Sequence, residues 1–211
     1  MNHPVAEAQR RLESWLEGVP LAPPPDAAAL LPGSSDMATA ELVFSLLVWE
    51  AGVPAAVSAA RRLAEHFVDL NELRVALVEE VEHTVGLADE HATRRARALV
   101  AALTHVFDTE DAVSIDRVAR AGPHEGGPYL RAIDALPAFA ADRVLLLAFG
   151  EHRVPVDGRL LGVLAGRGVV PPDATTARAA DLLARCCPAG QARELHLRLE
   201  AAAGRVVRAS G

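Results

Sequence analysis

Apolar positions along the chain recur with helical spacing and almost nowhere alternate as a strand would. Val5, Ala8, Leu12, Trp15 and Leu16 form one stripe within Val5 to Glu17, with Arg and Glu opposite, as on a docking helix. The run Leu42-Val43-Phe44-Ser45-Leu46-Leu47-Val48-Trp49 is apolar on every side and predicts a central buried helix over Met37 to Ala51, capped by Ser35 or Asp36. Gly52 and Pro54 end it and open a helix over Ala55 to Phe67. Asp69 then begins a shorter one, after which Leu73, Leu77, Val78 and Val81 are expected to face inward.

Further on, Ala92 to Phe107 predicts a long helix with Leu99, Val100, Leu103, Val106 and Phe107 inward. Ser114-Ile115-Asp116 opens a short helix to Arg120, Gly122 to Pro128 reads as a loop, and Tyr129 to Ala135 as a helix entering a tight turn. An apolar helix over Val144 to Phe149 is closed by Gly150 in left-handed geometry. Helices over Arg159 to Ala165, Thr175 to Arg185 and Pro188 to Ala203 complete the chain, the last ending at Gly204. Between Gly18 and Ser35 the sequence becomes Pro23-Pro24-Pro25 and Pro32-Gly33-Ser34-Ser35, too rich in proline for a helix and suited to an extended linker.

Composition sharpens this all-α reading. The 211 residues are 51% hydrophobic but only 4% aromatic, the signature of helices packed through Ala and Leu. All 21 basic residues are arginine, so no lysine side chain is available for Schiff-base chemistry, and the net charge of −7 opposes a general attraction to nucleic acid. Cys186 and Cys187 are adjacent and read as reduced helix residues. Glu79, Glu80, Glu82 and His83, like Glu90 and His91, fit no metal-ligand spacing and read as a solvated acidic face, so no metal is expected. The N-terminus lacks the order of a signal peptide and no apolar run approaches about 18 residues, so cytoplasmic residence without membrane association is expected.

Two stretches carry a resemblance. Leu136-Pro137-Ala138-Phe139-Ala140, then a helix, Gly150 and Val156-Asp157-Gly158-Arg159, follow the order of the helix-hairpin-helix DNA glycosylases of the endonuclease III superfamily. There a Leu-Pro-Gly-Val-Gly hairpin grips a phosphate and the Asp of Val-Asp-Thr-His is catalytic. Phe67-Val68-Asp69-Leu70-Asn71-Glu72-Leu73-Arg74-Val75 resembles a second stretch of the same superfamily, with Asn71 and Glu72 read as helix-capping residues alone.

The resemblance implies an endonuclease III-like fold with two helical subdomains around a cleft. Residues 1–17 with 155–211 would form one, 18–35 the linker, and 36–154 a barrel-like second containing the degenerate hairpin at 135–141. It implies base-excision repair chemistry in which Asp157 stabilises positive charge on the sugar, with Asp142 as a second carboxylate to hold water. Pro137, Ala138, Phe139, Ala140, Arg143 and Arg159 fall where DNA is contacted, and Glu50 falls where relatives fill the hole left by a flipped nucleotide.

Several letters depart from that pattern. Both hairpin glycines are missing: Ala138 and Ala140 replace them if the Leu-Pro pair sets the register, Ala135 and Pro137 if one counts back from Gly150 without a gap. The nucleophilic lysine of strand-cutting relatives is Asp142 or Phe139, leaving a monofunctional, base-removing enzyme at most. Arg208 stands near the first cysteine of the relatives' iron-sulfur motif, so no cluster and no other cofactor is expected. Damaged DNA is the partner this implies. The alternative is a catalytically silent descendant that serves as a scaffold for a protein partner or for non-duplex nucleic acid.

Overall fold

The computed structural model describes residues 3–21, 23–33, 35–188 and 190–209, and for 3–4 and 206–209 the backbone alone. Ala22 and Ser34 of the expected linker, Ala189 at the start of the last expected helix, and the Arg208 side chain lie outside the described residues. The ordered elements are helices: α1 (His3–Leu16), α2 (Ala27–Leu30), α3 (Met37–Val48), α4 (Val53–His66), α5 (Leu70–Val75), α6 (Val78–Val85), α7 (Ala92–Glu110), α8 (Asp116–Ala121), α9 (Pro123–Ala132), α10 (Ala138–Leu147), α11 (Gly158–Gly166), α12 (Thr176–Cys186) and α13 (Ala192–Ala209). They fall into two compact units, a terminal one of Met1–Pro24 with His152–Gly211 and a central one of Pro25–Glu151. No single helix among the described residues is long and apolar enough to cross a membrane.

The central unit is built around α3. Asp36 starts it, its Oδ1 accepting from Ala38 N at 3.0 Å and Thr39 N at 2.9 Å. Leu42, Phe44, Leu46 and Leu47 are fully buried, each contributing roughly 1.5–3 kcal/mol by leaving water. Helices α2, α4, α7, α8 and α10 pack around it. Thr39 Oγ1 accepts from Ile115 N at 2.8 Å, tying the start of α8 to this central helix. Asp69 caps α5 through Glu72 N at 2.8 Å, while Glu72 Oε2 accepts from Val68 N at 2.6 Å, so Glu72 completes the cap as the sequence suggested.

Four expectations need correction here. The proline-rich linker contains a helical turn, α2, because Asp26 supplies a cap and Ala27-Ala28-Ala29-Leu30 follows before the next proline. Residues 122–128 are helical rather than looped: Pro123 sits in the first turn of α9, where its missing N–H costs nothing, and Gly126 lets the helix lie against the Phe149 ring. Leu77 is 71% exposed, because it precedes α6 as an extended residue rather than lying on its inner face. Phe107 is also exposed and lies under the Arg74 guanidinium, 4.1 Å from the ring centre.

In the terminal unit, Ala8, Leu12 and Leu16 of α1 pack on α12 and α13, and Leu160 and Leu164 of α11 join Leu183, Leu199 and Ala203 in the core. Arg11 Nη1 donates to Gly168 O at 2.7 Å, fixing α1 to the turn after α11. Thr175 caps α12. The last helix runs through Gly204 to Ala209, since a glycine with no left-handed backbone does not end a helix by itself. A groove of about 560 Å³ separates α1 from the start of α13, floored by Leu12, Leu16 and Cys186.

Candidate functional site

Asp157 is the focus of the terminal unit. Its extended backbone precedes Gly158, and its Oδ1 accepts from Leu160 N at 2.8 Å, so it is the N-cap of α11. Val154, Val156 and Leu160 are buried around it in sequence, and Asp157 itself is only 2% exposed. The groove beside α1 is lined by other residues.

Arg159 is turned away from solvent. Its Nη2 lies 2.9 Å and 2.8 Å from the two carboxylate oxygens of Glu200 on α13, and its Nε is 3.7 Å from Asp157 Oδ2. His196, one turn before Glu200 on the same helix, is wholly buried. Sequence reasoning missed both α13 residues. The available signal was that His196 and Glu200 fall on the same helical stripe as Ala192, Leu199 and Ala203, where an apolar side chain is expected. Arg159, expected where DNA is contacted, thus has its guanidinium against Glu200.

The hairpin belongs to the central unit. After α9 the chain turns through Ile133-Asp134-Ala135-Leu136, and Pro137 is the N-cap of α10. Ala135 holds φ at +60°, the left-handed conformation for which glycine is the usual choice, whereas Ala138 and Ala140 are ordinary helical residues. The first N–H groups of α10 have no carbonyl within the helix to bond, and Pro137 contributes no N–H at all. Phe139 and Ala140 point into the core, while Ala138 is exposed.

Arg143, also expected where DNA is contacted, lies inside the central unit. It is 1% exposed, paired with Glu41 of α3, within 3.1 Å of Ser45 Oγ and over the Phe44 ring, because the face of α10 that carries it packs on α3. Asp142, one residue earlier, is partly exposed. Glu50 follows Trp49 in the turn between α3 and α4, at φ +59° and partly buried. Trp49 O there accepts from the buried Arg95 Nη2 at 2.9 Å, and Arg95 also pairs with Asp89 at 3.0 Å.

Solved structures share this arrangement of helices. A trapped covalent intermediate of endonuclease III with DNA matches with a TM-score of 0.64 at 16% identity, over 94% of this chain and 85% of that one. The chain has the endonuclease III-like glycosylase fold. The 8-oxoguanine glycosylase/lyase of Clostridium acetobutylicum, in complex with duplex DNA, gives 0.64 at 14% identity over 97% of this chain and 70% of that one. The H. pylori 3-methyladenine DNA glycosylase bound to 1,N6-ethenoadenine gives 0.61 at 14% identity over 98% of both chains. No protein-family model matches the sequence, and no curated protein does either. Within this glycosylase fold, the carboxylate at the start of α11 and the turn before α10 are the two features on which a functional reading rests.

Proposed function

We propose that this protein is a divergent DNA glycosylase that removes a damaged base without cutting the strand, with Asp157 as its electrostatic carboxylate. One observation carries the reading: a glycosylase fold in which an Asp, turned inward, heads α11 with its rotamer fixed by Leu160 N–H. Breaking an N-glycosidic bond leaves positive charge on the sugar, and a preorganised carboxylate beside it lowers that barrier. The solved neighbours include DNA complexes, which makes a damaged duplex the proposed partner and base-excision repair in the cytoplasm the proposed setting.

The left-handed residue Ala135 supports the gapless count for the hairpin, in which Ala135 and Pro137 stand at the glycine positions and Phe139 at the lysine position. A buried phenyl ring forms no imine, and the chain has no lysine elsewhere, so water is the proposed nucleophile. Pro137 removes one donor from the phosphate grip, so duplex affinity is weaker than a glycine-containing hairpin would give.

The burial of Asp157 and the commitment of Arg143 and Arg159 to internal carboxylates favour a second reading, a silent scaffold that keeps the fold for a partner. Incubation with duplexes carrying alkylated, oxidised and deaminated bases separates the two. Free base released with the strand intact until alkali treatment supports the enzyme; no release from any duplex supports the scaffold.

A further inference from the structure

The terminal unit carries a groove that the proposed chemistry does not use. From α1 it is lined by Gln9, Leu12, Glu13, Leu16 and Glu17. From α13 and the residue before it come Gln191, Glu194, Leu195 and Arg198. On both helices these positions recur three or four apart, so each side is a single helical ridge about two turns long, roughly 10 Å at 1.5 Å per residue. Gly18, at φ +69°, turns the chain after α1 so that Val19 N donates to Leu16 O at 3.0 Å and Val19 joins the lining. Cys186 Sγ donates to Val5 O at 3.6 Å, which seats the end of α12 against α1.

The floor of this groove is apolar and its rim is acidic. Leu12 and Leu16 are buried, Val19, Cys187 and Leu195 keep part of their surface open, and Glu13, Glu17 and Glu194 are exposed. Gln9 Nε2 donates to Glu13 at 3.0 Å, and Glu194 pairs with Arg198 at 3.0 Å. Three carboxylates against one guanidinium leave the rim with excess negative charge, which repels a nucleic-acid backbone.

We propose that this groove docks a basic amphipathic helix of a partner protein. Two helical ridges with a valley of about 560 Å³ between them accept a third helix laid along the valley, its large apolar side chains three or four residues apart set on Leu16, Val19 and Leu195. Arg or Lys on the flanks of that helix meets Glu13, Glu17 and Glu194, and the same carboxylates turn away an acidic helix of equal hydrophobicity. The apolar floor supplies the affinity and the rim selects the sign of the partner's charge. Neither the α11 cap nor the hairpin lines the groove, so this assignment stands apart from the reading of Asp157.

The test is selection on the full-length protein, at about 0.15 M salt, from a displayed library of stapled helical peptides of random sequence. Peptides with Leu, Phe or Trp three or four residues apart, flanked by Arg or Lys, are expected to be enriched, and an enriched peptide is then titrated by fluorescence anisotropy. Leu195→Glu is expected to weaken its binding at least about tenfold, and Glu13→Gln combined with Glu17→Gln about fivefold. Glu65→Gln combined with Glu79→Gln changes exposed residues of the central unit and alters the net charge equally, and is expected to leave binding unchanged. Saturating peptide is expected to slow alkylation of Cys187. Glu13 and Glu17 are exposed, so their variant keeps the test readable if Leu195→Glu does not fold. No enriched sequence, enriched sequences without basic residues, or equal weakening by the two glutamine pairs overturns the proposal. So does a concentration-dependent dimer that the glutamine pair in α1 breaks up, which gives the groove to a second copy of the chain.

Discussion

Arg143 of α10 is bonded to Glu41 of α3 inside the central unit, with Ser45 Oγ donating to the same carboxylate at 2.9 Å. Removing one partner of a buried ion pair leaves the other without its compensating charge. Arg143→Met is expected to cost about 3 kcal/mol, and the double variant with Glu41→Leu to recover much of it. Urea denaturation checks both. A residue that worked by touching DNA would instead lose affinity while leaving stability alone.

Gly126 lies where α9 meets Phe149, and a Cβ there would run into the ring. Gly126→Ala is expected to destabilise the fold by about 2 kcal/mol, as other overpacked sites do, despite the better helix propensity of alanine. Combining it with Phe149→Leu is expected to restore part of the loss. Thermal melting of the single and double variants beside the wild type decides the point, and a Gly126→Ala protein at least as stable as wild type would show that the ring moves aside freely.

Ala135 holds its left-handed backbone without the freedom of glycine. Ala135→Gly relieves that strain, offset by the greater entropy glycine has when unfolded, for a net gain of up to about 1 kcal/mol. If the hairpin meets phosphate through its backbone, the same change is expected to tighten duplex binding at fixed salt, with the salt dependence unchanged because no charge is added. Equilibrium unfolding and a binding titration separate the two effects.

Burial pushes the Cys186 thiol above its ordinary range, opposed in part by Arg185; burial first, then Cys186 and Glu194, does the same for Cys187. Thiolate is the reactive form, so both are expected to alkylate more slowly than free cysteine at pH 8 and to match it once unfolded in urea. The sign for stability follows. As pH rises through the ordinary thiol range the unfolded chain ionises first, so these groups make the fold less stable toward alkaline pH.

Much of the fold was legible because its signals are local. The near-continuous apolar run of 42–49, interrupted only by Ser45, reads as a buried helix, and Asp36 and Asp69 stand where helix caps are read directly from the letters. The helix across Gly126-Gly127-Pro128 was not legible. Gly126 serves a packing partner 23 residues away, and local rules count it as a breaker. The site was readable only in part, for the same reason. Asp157 announces itself at the head of a helix, but what Arg143 and Arg159 do is decided by Glu41 and Glu200, 102 and 41 residues distant. No periodicity couples such positions.

The central claim is that the charge of Asp157 does the chemistry. Asparagine caps a helix about as well as aspartate, so Asp157→Asn is expected to keep the wild-type fold and melting temperature. The most direct measurement is single-turnover base release by the wild type and Asp157→Asn from the same lesion duplex, at matched fraction bound. A loss of at least about 100-fold with unchanged duplex affinity is the expected result. Equal release by the two proteins, or none by the wild type, would contradict it.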